Sequence, residues 1–242
     1  MNEEFYARYV STGQSNYNAI NGKYPFSRKT HETVKRIAGK YFPNRNTKVL
    51  DLGCGSGAYL FSLQSMGYTN CVGVDISMEQ IEQAKALGIK NVICANIFNY
   101  LRDNKDKFDV ILAIDIVEHF DKNEIKNLML NMGIALNQKG SILLHVPNAE
   151  SPFGMRVRYG DFTHEFAFTQ SSLNQLLTLY GYNNFTFFGD INPVYNCKSF
   201  IQMILRKFFE LVFKLYLFSE TGIQKYIFTQ NIFCYISQGR RK

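Results

Sequence analysis

The stretch Val49-Leu50-Asp51-Leu52-Gly53-Cys54-Gly55-Ser56-Gly57 decides how the rest of the chain is read. An apolar run meets an acid, and three alternate glycines follow. Glycine lacks Cβ, so such a turn reaches dihedrals that other residues avoid and lets a ligand approach the main chain. A second run, Cys71-Val72-Gly73-Val74, ends in Asp75. That spacing suits a carboxylate that grips the two hydroxyls of a ribose. The competing role for Asp75 is a helix N-cap for the segment that follows. Gly53-x-Gly55-x-x-Ala58 also fits the dinucleotide fingerprint G-x-G-x-x-G/A. Asp51, two residues before the first glycine, separates that reading from others.

Working outward, short apolar runs alternate with helical patterns. Strands are expected near 47–52, 71–75, 91–95, 108–114 and 140–146, with two more at 184–188 and 227–236. Helices are expected at 28–41, 57–66, 78–88, 122–136 and 169–180. The run Val110-Ile111-Leu112-Ala113-Ile114 is apolar throughout, as a strand buried on both faces must be. This rhythm predicts one doubly wound, Rossmann-like α/β domain over residues 1–242, with helices on both faces of a mostly parallel sheet. Residues 1–45 form an aromatic, partly helical cap in this reading. Ligands of such sheets lie at the carboxyl ends of the strands, where Asp51, Asp75, Asn96, Asp115 and His145 to Asn148 fall.

The net charge is +7 in 242 residues, but it is not spread evenly. Eight Lys/Arg and two Glu lie from Lys198 onward, which leaves one net positive charge on residues 1–197. A groove for phosphate backbones spreads basic side chains around its active face, so nucleic acid is not the expected partner. The five cysteines are scattered and never occur as C-x-x-C, so they read as reduced thiols of a cytoplasmic protein. The N-terminus is acidic and carries no apolar signal core.

The string DLGCGSG resembles the first motif of the class I S-adenosylmethionine-dependent methyltransferases, an acid followed by G-x-G-x-G. The resemblance implies S-adenosylmethionine as cofactor, held by Asp51, Gly53, Cys54, Gly55 and Gly57. Asp75 then binds the ribose and Ile76 packs on the adenine. Asn96-Ile97 lies where the family usually places an acid for the adenine amino group. Asn96 departs from that pattern, and its amide oxygen accepts the same bond without charge. The run Asp115-Ile116-Val117-Glu118-His119 resembles the family's D-x-x-E-H at the end of strand four, which flanks the sulfonium. A lone histidine there is either a hydrogen-bonded fixture or a group that acts on the acceptor.

A third group concerns the acceptor. His145-Val146-Pro147-Asn148-Ala149 closes strand five, and residues 147–168 are expected to form a loop over the cofactor. V-P-N-A, then Asp161-x-Thr163-His164-Glu165, then Phe168-Thr169-x-x-Ser172-Leu173 resembles methyltransferases of bacterial surface-polysaccharide biosynthesis. In this reading His164 is a base oriented by Asp161 or Glu165. Arg156 and Arg158 hold an acceptor phosphate or carboxylate, and Asn148 and Glu165 complete the acceptor pocket. No H-E-x-x-H or cysteine cluster marks a metal, and Asp161 with His164 is a weak pair for one.

Residues 199–218 read as one helix whose polar stripe is Ser199, Gln202, Arg206, Lys207, Glu210 and Lys214, with apolar side chains around the rest. Its charges argue against a membrane span. It is expected to serve as a lid, a homodimer interface or a contact with an anionic membrane face. The resemblance makes 198–222 an insertion before a final antiparallel strand in a seven-stranded sheet. The expected function is methylation of a hydroxyl on a saccharide, nucleotide-linked sugar or sugar phosphate for capsule or lipopolysaccharide. Three rivals stand beside it: a methyltransferase for a lipid-soluble ring such as a quinone precursor, a non-catalytic cofactor-binding partner of another enzyme, and an RNA methyltransferase.

Overall fold

The computed structural model describes residues 26–222 and 226–237. Tyr6, Tyr9, Tyr17 and Tyr24 of the expected cap lie outside them. Helix α1 (Arg28–Tyr41) opens on Ser27, whose side chain accepts the Thr30 amide, and it ends at an extended Phe42. Pro43 disfavours helical backbone at that preceding residue. The order then runs β1 (Val49–Leu52), α2 (Ala58–Ser65), β2 (Cys71–Asp75), α3 (Met78–Ala86), β3 (Val92–Cys94), α4 (Ile97–Asp103) and β4 (Phe108–Ile114). A 3-10 turn (Val117–His119) leads to α5 (Lys122–Ala135), β5 (Leu136–Pro147), α6 (Gly154–Arg158) and α7 (Gln170–Leu179). The chain continues through β6 (Phe185–Gly189), α8 (Cys197–Thr221) and β7 (Asn231–Ser237).

The seven strands lie in the order β3-β2-β1-β4-β5-β7-β6. The pairs β1–β2, β2–β3, β1–β4 and β4–β5 are parallel. Strand β7 alone runs antiparallel, wedged between β5 and β6. The strand order reverses between β1 and β4, which opens a crevice at their carboxyl ends. The doubly wound sheet and its antiparallel last strand therefore match the expectation.

Alternation along the central strands explains the two cores. Val49, Val110, Leu112 and Leu143 face α1, α2 and α3, where Val34, Ile37, Leu60, Leu63 and Ile81 are buried. Leu50, Ile111, Ile142 and Leu144 face the other way, onto Leu101, Leu128, Met129 and Leu173 of α4, α5 and α7. The central strands β1, β4 and β5 are thus covered on both faces, and every such side chain contributes roughly 1.5–3 kcal/mol by leaving water.

Three differences from the expected elements have local causes. Helix α4 was missed because its seven residues show no clean periodicity; Asn96 starts it by accepting the Phe98 amide. The expected loop of 147–168 contains α6, because Gly154 lets its backbone approach the Asn148 carbonyl where a Cβ would collide. Helix α8 is longer than expected, because Asn196 and Ser199 form a capping box and a left-handed Gly222 closes it.

Helix α8 is also far more exposed than a packed lid. Ser199 is its one buried residue, and Ile201, Leu205, Phe208, Phe209, Leu211 and Leu215 are more than half exposed. Its basic stripe is partly neutralised, since Glu210 takes Arg206 at 2.7 Å and Lys214 at 2.9 Å. Among the described residues no helix is long and apolar enough to cross a membrane.

Candidate active site

A cleft of about 400 Å³ opens where β1, β2 and β4 end, within the range of roughly 300–1,000 Å³ usual for small-ligand sites. Its floor is the glycine turn. Gly53 has a φ of 66°, and a Cβ there would lie 2.7 Å from Ile116 Cδ1, so the position is closed to larger residues twice over. The turn is pinned to the next strand by the Gly53 and Cys54 amides, which donate to the Val74 carbonyl at 2.8 and 3.1 Å.

Asp75 lines one wall. Its carboxylate accepts the Gly55 amide at 2.8 Å and the Ser77 amide at 2.8 Å. The N-cap of α3 is Ser77, not Asp75. Burial raises the Asp75 pKa, and these amide bonds act against that rise. Each carboxylate oxygen keeps acceptor capacity for a diol. Ile76, Asn96, Ile97, Asp115 and Ile116 line the cleft as expected. Asn96 already spends one lone pair on its own helix, accepting from Phe98 at 3.0 Å.

Asp51, Cys54 and Gly57 do not line the cleft. Gly57 is the N-cap residue of α2. Asp51 is buried beneath the turn, where desolvation and then the Asp75 charge push it up to about 8. Burial raises the Cys54 thiol well above its ordinary range, so it packs as a small apolar group. Sequence reasoning did not find Ser77, Gln80, Phe98, Ile114 and Glu124, which also line the cleft. The Asp121-x-x-Glu124 capping pattern was the available signal for Glu124, whose carboxylate accepts the Asp121 amide. The buried Gln80 Oε1 has no protein partner and lies on this wall.

At the β4 end of the cleft, the loop after β5 meets the turn after β4. The Glu118 carbonyl accepts the Glu165 amide at 2.7 Å and the Phe166 amide at 3.2 Å. This brings His164 against His119, with ring centroids 4.7 Å apart and edge-on. The expected His164–Asp161 pairing is replaced by another. His164 Nδ1 lies 3.0 Å from the Val157 carbonyl, which can only accept, so Nδ1 carries the proton. Asp161 instead accepts the Thr163 hydroxyl at 2.6 Å and the Thr163 amide at 2.9 Å. The Thr163 oxygen in turn pairs with His119 Nδ1 at 2.8 Å. With its own proton committed to Asp161, Thr163 accepts from His119. Burial, and then the neighbouring His164, lower the His119 pKa to about 4. Burial and the Asp115 charge hold the Glu118 carboxyl well above its usual range.

Four acceptor assignments change. Asn148 is fully buried; its amide donates to the Ile227 and Thr229 carbonyls, and its oxygen accepts the Glu150 amide. It ties the β5 end to the segment before β7, and with both amide protons spent and no exposed surface it does not reach an acceptor. Glu165 is exposed, and neither Arg156 nor Arg158 lines the cleft; Arg158 stacks over Tyr159 instead.

His145, expected at the ligand end of its strand but given no role there, is part of a charged pairing. It is buried, with Nδ1 2.7 Å from Asp115 and Nε2 3.7 Å from Asp190. Burial opposes its charged form, but the two carboxylates outweigh burial and raise it to about 10. Asp190 is lowered in return by His145 and Lys29, against its own burial. Asp115 adopts a left-handed φ of 50° to reach this pairing and to line the cleft.

The sheet order and the glycine-floored cleft define the architecture of class I S-adenosylmethionine-dependent methyltransferases. The sequence profile of a family described as "Methyltransferase domain" matches residues 23–186. The chain belongs to this family of S-adenosylmethionine-dependent methyltransferases. It is 26% identical over 121 residues to a ubiquinone biosynthesis O-methyltransferase of Rickettsia bellii, covering 48% of each chain. The chain thus spans about half the length of the curated relatives it matches. Its fold is similar to that of a SAM-dependent methyltransferase from Archaeoglobus fulgidus (TM-score 0.62, 20% identity, 92% of this chain and 100% of that one). It is also similar to magnesium protoporphyrin IX methyltransferase from Synechocystis with bound SAH (TM-score 0.60, 12% identity, 98% of each chain).

Proposed function

We propose that this chain methylates a hydroxyl oxygen of a small acceptor, with a saccharide or nucleotide-linked sugar as the first acceptor class. The observation that carries the reading is the meeting of Glu118, His119 and His164 at the end of a cleft whose opposite wall is a ribose-binding carboxylate. The residues fit the cofactor: a cradle that a Cβ would fill at Gly53, a diol acceptor in Asp75, apolar Ile76 and Ile97 for an adenine face, and the partnerless Gln80 oxygen. S-adenosylmethionine supplies an already activated methyl group when bound. The protein therefore has to align the acceptor, exclude water and manage one hydroxyl proton.

Asp75 and the glycine turn fix one end of the cleft, and Asp115 and Ile116 line its middle. The loop 147–168 carries His164 behind His119, which lines the other end, and the doubly accepting Glu118 carbonyl holds it there. This supports an acceptor delivered by that loop rather than by a broad basic surface. The near-neutral charge of residues 1–197 fits a small acceptor.

A second reading keeps the chemistry but takes a lipid-soluble phenolic ring. It is favoured by the exposed apolar girdle of α8 and by the ubiquinone-pathway name of the Rickettsia bellii relative. In that reading α8 rests on a membrane face or on a second copy. Transfer of radiolabelled methyl groups to two panels, nucleotide sugars and polyprenylated dihydroxybenzoates, tests both. Turnover of sugars alone supports the first reading, turnover of the ring panel alone supports the second, and binding of S-adenosylmethionine with no turnover of either overturns hydroxyl methylation of both classes.

A further inference from the structure

We propose that Glu118, His119 and His164 form a binding site for one divalent transition-metal cation, of the Mn²⁺ to Zn²⁺ series, beside the cofactor cleft. One ligand atom from each of the three lies within 4.8 Å of the others. Ligands at about 2.0–2.2 Å from a common ion stand roughly 3–4 Å apart, so the three atoms already lie near the spacing that a shared ion requires.

Two further observations point to a ligand. First, Glu118 is fully buried, and neither of its carboxylate oxygens has a hydrogen-bond partner. A buried carboxyl without partners costs free energy comparable to several hydrogen bonds, and pairing with a cation removes that cost. Second, both imidazoles are wired as metal-ligating histidines are. Each commits Nδ1–H to an oxygen, the Val157 carbonyl for His164 and the Asp161-backed Thr163 hydroxyl for His119. This fixes the tautomer that puts the lone pair on Nε2 and holds the ring plane. A pair of histidines serving only to fill space has no need of an outer carboxylate relayed through a threonine.

Two imidazoles and one carboxylate suit Mn²⁺, Co²⁺ or Zn²⁺ better than Ca²⁺, which prefers six to eight oxygens. Three protein ligands also leave coordination positions for water or an acceptor. His119 lines the cleft, so the site borders the space that an acceptor must enter. Resting on the proposed hydroxyl methylation, the cation would take the acceptor hydroxyl as a ligand and lower its pKa, its proton passing to solvent water as the oxygen accepts the methyl group and the sulfonium leaves as the neutral thioether. A neighbouring hydroxyl on the acceptor would complete a chelate, which makes vicinal diols the preferred class. This assigns Glu118, His119 and His164 as ligands and Thr163 and Asp161 as positioning residues.

The test is titration of chelator-stripped full-length protein with Co²⁺, read by visible absorption, with thermal melting as a second readout. One equivalent should bind with a spectrum typical of nitrogen and oxygen ligands and should raise the melting temperature. Glu118→Gln, of the same shape, and His164→Ala should each weaken Co²⁺ by at least tenfold. Asp75→Ala should lose S-adenosylmethionine yet bind Co²⁺ as wild type does. Absent Co²⁺ binding, or equal binding by wild type and both ligand variants, overturns the site. Intact Co²⁺ binding with no methyl transfer to any diol overturns the acceptor reading alone.

Discussion

The carboxylate of Asp75 accepts the main-chain amide of Gly55 at 2.8 Å, joining the end of β2 to the turn that follows β1. Asp75 therefore shapes the cradle as well as facing the ligand. Asp75→Ala is expected to weaken S-adenosylmethionine by more than tenfold and to lower the melting temperature. Asp75→Asn keeps one oxygen for the Gly55 amide and loses the charge and the acceptor of the Ser77 amide. Calorimetric titration of both variants separates the roles, and unchanged affinity in Asp75→Ala would remove the ribose assignment.

The pairing of His145 with Asp115 and Asp190 sets a pH window. Its folded-state pKa is about 10, above the ordinary 6.5. A raised pKa means that the folded state holds its proton more tightly, so this stabilisation is full below about pH 6.5 and is lost as pH rises through about 10. Urea midpoints of wild type should fall between pH 7 and pH 10. His145→Gln should show a smaller fall, and parallel profiles for the two proteins would remove His145 as the cause.

Thr163 relays Asp161 to His119. Thr163→Val keeps shape and removes the hydroxyl. Cation affinity is expected to fall roughly 10–100-fold, as for other outer-shell partners, with S-adenosylmethionine affinity near wild type. Thr163→Ser should restore the cation. A purely structural threonine would leave cation affinity unmoved in both variants.

Asn148 is expected to matter for stability. Asn148→Ala strands the Ile227 and Thr229 carbonyls, each a loss of about 1–3 kcal/mol where it stays buried. A reduced urea midpoint with S-adenosylmethionine affinity near wild type is the expected pair of results. A raised Michaelis constant without loss of stability would return Asn148 to the acceptor pocket.

Arg156 is exposed and outside the cleft. Arg156→Ala should therefore leave the apparent Michaelis constants for phosphate-bearing and neutral acceptors alike near wild type. The comparison of a nucleotide sugar with the free sugar measures it, and a constant raised for the nucleotide sugar alone would return Arg156 to the acceptor site.

Much of the architecture was legible because backbone demands leave marks on sequence. Val49 to Gly57 needs glycine where φ is positive, and Val110 to Ile114 needs apolar residues on two faces. The wiring of the site was less legible. Asp161, three residues before His164, looked like its partner, yet the turn aims it at Thr163. His119 and His164 are far apart in sequence, so nothing local told that they meet. His145 was placed at the ligand end of its strand, yet nothing local told that Asp115 and Asp190 flank it. Asn148, polar at a strand end, resembled a ligand-facing group and is instead an internal tie.

One feature of the sheet bears on how this chain came to differ from a plainer domain. Gly189 of β6 is paired with Ile232 of β7, so the excursion carrying α8 leaves and rejoins the sheet at neighbouring strands, roughly 4.8 Å apart. A tight turn could close that gap. The apolar helix is thus an appendage grafted into an otherwise ordinary hairpin. It can lengthen, shorten or change partner without disturbing the register of a single strand, which leaves this edge of the molecule free to vary while the cleft at the strand ends stays fixed.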